Sequence, residues 1–442
     1  MIDAAIRSKR IITPQGMIDG AILVKDGNIA EVIHQIPEGD FPVTDLDDFV
    51  LMPGVVDPHV HINEPGRADW EGFDTATRSA LAGGITTMVE MPLNASPVTT
   101  NVSAFEKKIQ SAERKLHMDC GFWGGVIPGN EKEIEPLLEK GVLGFKAFLV
   151  DSGIDEFPPV TEKDLRKAMP LLAKYDLPLL VHCELESEAP LINSTRNYDR
   201  YLGSRPGKWE KDAIALMIKL CEEFHCRVHI VHLSFAGALD IIARAKEKGL
   251  PITVETAQHY LFFSSEEIPE GATAYKCAPP IREKGNNEEL WQALKSGLID
   301  FVATDHSPAP PELKEIHTGD LMKAWGGIAS IQVALPALWT AARQHNASLT
   351  DMAKWLCSSP ALLPQLKNKG RIEKGCNADI VAWSPEEKFI LAENDLHHKH
   401  KISPYLGKEL YGTVLQTWLR GEKLYDDGKF LHLNKGRILY HE

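Results

Sequence analysis

The chain lacks several features, and each absence removes a class of function. Its seven cysteines are scattered, odd in number and without a CxxC pair. They fit reduced, mostly buried thiols of a cytosolic protein better than a disulfide framework. No stretch approaches the roughly 18 consecutive apolar residues of a membrane helix. The opening Met1-Ile2-Asp3-Ala4-Ala5 has no basic region followed by an apolar run, so a secretion signal is not expected. Positive charge is in deficit: 48 Lys and Arg against 62 Asp and Glu leave a net charge of −14. That argues against nucleic acid or an anionic membrane as a partner and for a cytoplasmic protein acting on a small molecule. Neither GxGxxG nor GxxxxGK[ST] occurs, so nothing points to a nucleotide loop.

What is present is an alternation of strand and helix signals. The 442 residues are enough for a large core and two structural units. Apolar strand candidates lie near 50–56, 85–90, 118–126, 142–149, 177–182, 228–233, 251–255 and 299–304, with helical patterns such as Trp209 to Phe224 and Ala236 to Lys248 between them. Eight strands alternating with helices predict an α/β fold of the (β/α)8 TIM-type barrel kind over 51–369; a doubly wound open sheet is the alternative. Both ends read differently. Ala21 to Val24, Lys25-Asp26-Gly27-Asn28 and Ile29 to Ile33 form a hairpin signal with Asp-Gly at its tip. Asp379 to Trp383 and Val414 to Gly421 also read as strands, so 1–50 and 370–442 are expected to build one small β domain together.

The segment Val55-Val56-Asp57-Pro58-His59-Val60-His61 carries a His-x-His pair after the apolar run Phe49 to Met52, read as a buried strand. Residues two apart on an extended chain point to one side, so His59 and His61 can grip one metal ion; alone they are equally a polar pair at a strand end. In a barrel, chemistry sits at the C-terminal ends of the strands. Lys146 lies inside the apolar strand Val142 to Leu149, His182 closes Leu177 to Val181, and Asp305 follows Ile299 to Thr304. Lys146 reads either as a lysine snorkelling at a strand edge or as a buried amine whose charge is easily lost. A carboxylate directly after a buried strand needs a partner. His229 and His232 are an odd number of residues apart and face opposite ways on a strand. His232, on the face of Val228 and Ile230, is the candidate ligand, and His229 is read as structural. The run His397-His398-Lys399-His400 is read as a solvated polar loop.

This constellation resembles the amidohydrolase superfamily, in particular its cyclic-amidohydrolase branch. His59, His61, Lys146, His182, His232 and Asp305 match that branch's two-metal pattern residue by residue. Finer motifs are most similar to the allantoinase family: Asp57-Pro-His-Val-His-Ile-Asn-Glu-Pro-Gly-Arg67, Glu90-Met-Pro-Leu-Asn94, Gly144-Phe-Lys-Ala-Phe148, Asp151-Ser-Gly-Ile-Asp-Glu-Phe157, Lys276-Cys-Ala-Pro-Pro-Ile-Arg282, Asp305-His-Ser-Pro308 and Met322-Lys-Ala-Trp-Gly-Gly327. Asn63 stands where dihydroorotases carry an arginine for a substrate carboxylate; an amide offers neutral donors and an acceptor, as a ureide requires. Hydantoinases carry a tyrosine shortly after the lysine, and this chain has none there. Ala257-Gln258-His259, on the seventh strand, departs from the branch's usual Cys-Pro-His.

The resemblance implies a β-sandwich from the two ends and two divalent metals. Zinc is the commonest, with cobalt, iron or manganese compatible with the same donors. It further implies a carboxylated Lys146 bridging the metals, one held by His59, His61 and Asp305 and the other by His182 and His232. The implied reaction is hydrolysis of allantoin to allantoate by a metal-bridging hydroxide, with Asp305 moving the proton, in a homotetramer. Asn63, Asn94 and the backbone near Cys277 are the expected substrate contacts. A hydantoinase or dihydropyrimidinase is the rival enzyme. A single-metal deaminase would not need Lys146, and a non-catalytic scaffold would lack several of the six ligands.

Overall fold

A computed structural model describes residues 1–441. The two chain ends meet in one nine-stranded sheet. Ala4–Thr13, Gly16–Lys25 and Asn28–Ile33 form an antiparallel meander; Ile380–Ile390, Glu409–Leu419, Glu422–Asp426 and Lys429–Phe430 form a second. The Asp-Gly tip is where the sequence places it. Lys25 pairs with Asn28, and Asp26 and Gly27 both have positive φ (51° and 79°), as a two-residue hairpin turn demands.

Val50–Pro53 joins the meanders. It runs parallel to Ala4–Thr13 and antiparallel to Ile380–Ile390. This corrects the expectation that 50–56 is one strand leading into the histidines: the run divides at Gly54. A Cβ at Gly54 would lie 2.2 Å from Thr86 Oγ1, so only glycine lets the chain pass from the end-built sheet into the next strand.

That next strand, β1 (Val55–Val60), begins a parallel series: β2 (Ile85–Glu90), β3 (Asp119–Phe122), β4 (Phe145–Phe148), β5 (Leu179–His182), β6 (Val228–Ile230), β7 (Ile252–Ala257) and β8 (Phe301–Ala303). β1 to β3 pair in one parallel sheet. Gly124–Gly125, one residue beyond β3, begins another that continues through β4 to β8. A parallel bridge between Val60 and His306 links the end of β1 to the end of β8. All residues of β1, β2 and β4 are buried, as expected of parallel strands covered on both faces. Helices such as Gly207–Phe224 and Leu239–Glu247 alternate with the strands and turn their apolar faces inward.

Several strand predictions overran: Trp123 interrupts 118–126, β4 covers only Phe145–Phe148 of 142–149, β6 stops at Ile230 rather than 233, and β8 covers only Phe301–Ala303 of 299–304. β7 runs past the predicted 255 to Ala257 but does not include Gln258 and His259, which open the helix Gln258–Phe262.

The parallel strands and the end-built sheet are fastened by a buried charge cluster. Lys369 Nζ lies 2.6 Å from Asp119 Oδ2 and 2.5 Å from Asp379 Oδ2, while Arg420 Nη1 is 2.7 Å and 2.6 Å from the two Asp119 oxygens. Burial opposes both charges, but the opposite partners prevail: Asp119 is held below the usual carboxylate range and Lys369 above the usual lysine value. The cluster is therefore intact at neutral pH and weakens only as acid protonates Asp119 or alkali neutralises Lys369. Lys369→Met should cost about 3–5 kcal/mol, because it strands Asp379 without a cation. A melting curve with Tm close to that of the native chain would contradict it.

Candidate metal centre

Side chains from five of the parallel strands converge at one rim. His59 is in β1, and His61 follows it directly. Their Nε2 atoms lie 3.3 Å and 3.5 Å from Asp305 Oδ1, and the three residues offer ligand atoms all within 4.8 Å of one another. The His59 ring is 5.3 Å from His232, and His232 is 4.7 Å from His182. Four residues at this rim have left-handed backbone: Asn63 and Asn94 (φ 69°), His232 (38°) and Asp305 (45°). Such conformations are uncommon outside glycine and persist where surrounding structure enforces them. They turn the chain sharply after β1, β2, β6 and β8, and they correct the reason given for His232. It lies beyond the strand, so period-two alternation does not orient it; the turn does.

Lys146 is fully buried in β4. Its Nζ has no hydrogen-bond partner among the described residues and sits 5.0 Å from the Phe148 ring centre. Snorkelling is therefore excluded. Burial lowers its pKa to about 8 against the opposing pull of Glu255 and Asp305, so the reactive free amine is accessible near neutrality.

A second layer orients the imidazoles. Glu255 on β7 accepts from His59 Nδ1, faces His229 Nε2 at 3.1 Å and accepts from the His232 backbone N–H at 3.3 Å. With Nδ1–H donating to Glu255, His59 keeps a lone pair at Nε2, facing Asp305. Glu184 accepts from His182 Nε2 at 2.7 Å and pairs with Arg205, leaving the lone pair of His182 Nδ1 free; Phe148 stacks on that ring at 4.6 Å. The Asn94 amide nitrogen Nδ2 lies 3.3 Å from His61 Nδ1 and packs against that ring. Burial pushes His61, His182 and His232 below the ordinary histidine value, toward the neutral form that binds metals. Burial would raise Asp305 and Glu255, but the histidines around them hold both low, Glu255 at about 2.

The donors fit divalent cations: clustered imidazoles, a firmly ionised carboxylate, and buried His232 Nδ1 and Lys146 Nζ, which find no partner among the described residues. A model of the amidohydrolase family matches residues 50–424. The chain belongs to the amidohydrolase family. A second model, the allantoinase composite domain, matches residues 5–40. The chain is similar to the allantoinase of Streptomyces avermitilis, 46% identical across 100% of this chain and 99% of that one. It is similar also to that of Arabidopsis thaliana, 44% identical across 96% and 88%. Among solved structures, the L-hydantoinase (dihydropyrimidinase) of Arthrobacter aurescens superimposes with a TM-score of 0.93 at 28% identity, covering 100% of both chains.

In this amidohydrolase a cavity of about 580 Å³ opens over the histidines and Asp305. Of the expected substrate contacts, Asn94 lines it. Asn63 lies fully buried with Nδ2 donating to the Pro308 carbonyl at 3.2 Å. Cys277 is also fully buried; its carbonyl accepts from Tyr201 Oη at 2.7 Å, while Lys276 and Ala278 on either side line the cavity.

The reading of 397–400 as a solvated loop is corrected at His398. That ring is 1% exposed and packs 5.9 Å from His306, because Lys399 N–H donates to Glu71 and draws the segment onto the amidohydrolase core. Sequence reasoning missed Glu255 and Glu184. The signal for Glu255 was available: like Lys146, it is a charged residue inside an apolar strand, Ile252-Thr253-Val254-Glu255.

Proposed function

We propose that this amidohydrolase opens the ring of allantoin with water to give allantoate. The end-to-end similarity to curated allantoinases carries the choice of substrate. His59, His61 and Asp305 would hold one divalent cation and His182 and His232 another, with Lys146, carboxylated on Nζ, between them. Zinc is the first choice; cobalt, iron and manganese suit the same donors. When bound, the cations supply an activated water and a Lewis acid for the ring carbonyl.

The chain's own groups do the rest. Asp305, ionised among imidazoles, takes the proton of the attacking water and delivers it to the departing ring nitrogen as the C–N bond breaks. Glu255 and Glu184 keep the histidines in one tautomer throughout. Asn94 lines the cavity and offers an amide to the ureide, and Lys276 and Ala278, on either side of the buried Cys277, line it as well.

The same reading extends to architecture. The Val60–His306 bridge and the single residue between β3 and Gly124 support closure of the parallel strands into an eight-stranded barrel over 51–369. Shared packing of Ile6, Ile22, Ile380 and Trp418 supports a sandwich from 1–50 and 370–442. A cytoplasmic homotetramer completes the proposal.

A panel of allantoin, hydantoin, dihydrouracil and dihydroorotate on metal-loaded protein tests it. Ring opening of allantoin is expected. Turnover of hydantoin or dihydrouracil in its place would move the protein to the hydantoinase group, the reading that the 0.93 structural match favours.

A further inference from the structure

Two motifs remain outside the metal chemistry: the one that opens with Lys276, and Met322–Gly327. The structure fastens them to each other. Lys276 Nζ donates to the carbonyls of Met322 and Ala324 at 3.1 Å and 2.5 Å. Lys314 Nζ donates to those of Trp325 and Gly327 at 3.0 Å and 2.7 Å and reaches the Lys276 carbonyl at 3.4 Å. Two lysine amino groups thus hold four of the six carbonyls in Met322–Gly327. Both lysines are buried, 9% and 3% exposed, and neither forms an ion pair among the described residues. Burial lowers both amines, Lys276 to about 8 and Lys314 to about 7, and a buried amino group without a carboxylate must be satisfied by the carbonyls it donates to.

The clamped segment is a wall of the cavity: Met322 through Gly327 all line it. Its sequence is poorly suited to hold a shape alone, since it ends in two glycines. Gly327 cannot be otherwise, because a Cβ there would lie 2.4 Å from the Ser307 carbonyl oxygen. Trp325 rests edge-on against Trp70 at 4.9 Å, tying this wall to the loop after β1.

We propose that Lys276 and Lys314 are positioning residues that lock the wall Met322–Gly327 into one shape, and that this wall selects a cyclic ureide bearing a polar ring substituent over the bare ring. The selectivity rests on the allantoinase reading; the lock does not.

The test uses metal-loaded, full-length Lys314→Met and Lys276→Met, since Met keeps the stem and removes the donors. Amide exchange of residues 322–327, followed by mass spectrometry, is expected to accelerate about tenfold or more in each variant with metal content unchanged. With allantoin, KM should rise about tenfold while kcat changes less than about threefold, narrowing the preference over hydantoin. The double variant should be little worse than either single one, because both lysines serve one segment. Unchanged exchange in both variants overturns the lock whatever the substrate. Faster exchange with unchanged KM and preference overturns the selectivity role. If the native chain opens a different ring from the panel, the allantoin reading fails separately, and a KM for that ring insensitive to both variants overturns the selectivity role.

Discussion

Asp305→Asn is expected to lower kcat by about 10²–10⁴-fold while leaving the fold intact. The amide has nearly the carboxylate's shape but cannot take a proton from water or return it to the leaving nitrogen. Nor can it supply the negative charge that now faces His59 Nε2 at 3.3 Å and His61 Nε2 at 3.5 Å. The backbone around it is held independently: His61 N–H donates to the His306 carbonyl, and Thr304 is bonded to Asp57. Circular dichroism and Tm should therefore stay close to native values. Steady-state kinetics with metal analysis is the check, and a near-normal kcat would remove Asp305 from the proton-transfer role.

Lys146→Ala is expected to abolish metal retention and turnover together. In the native chain the amine is fully buried, unpartnered, and brought to about 8 by desolvation, which favours carboxylation of the free amine. On the proposed function, alanine removes the group that would bridge the cation held by His59 and His61 and the one held by His182 and His232. It also opens a space the length of the lysine stem, into which a short carboxylate fits. Added acetate or propionate should restore part of both metal content and activity. Two metals per chain in the unsupplemented variant would contradict a bridging role.

Both predictions concern residues that could be found in the sequence, and the reason is local. A charged or imidazole side chain at the close of a buried strand is conspicuous against its apolar neighbours. The strand direction then says which rim it joins. His59, His182 and Asp305 were legible in that way, and Glu255 would have been. Glu184 was not, because it lies in an irregular segment after β5 where no periodicity marks it. Asn63 and Asn94 were legible as unusual residues, but their placement was not. Whether an asparagine lines a cavity or lies behind its wall depends on a left-handed turn that its neighbours impose.

The sequence by itself determined the alternation of strands and helices, the hairpin at Asp26-Gly27 and the meeting of the chain ends, and it singled out polar residues at the strand ends as candidate ligands. Each depends on period, spacing or a single turn, which act over a few residues. Only the tertiary structure decided that 50–53 belongs to the end-built sheet, that His232 is aimed by a turn beyond its strand, and that Lys369 fastens the two parts. The same holds for the two lysines that grip four carbonyls of one cavity wall. These depend on what a residue meets across the fold: the Thr86 side chain over Gly54, Asp119 and Asp379 around one amine, backbone oxygens in place of a carboxylate. Such contacts join positions tens to hundreds of residues apart, and no local pattern encodes them.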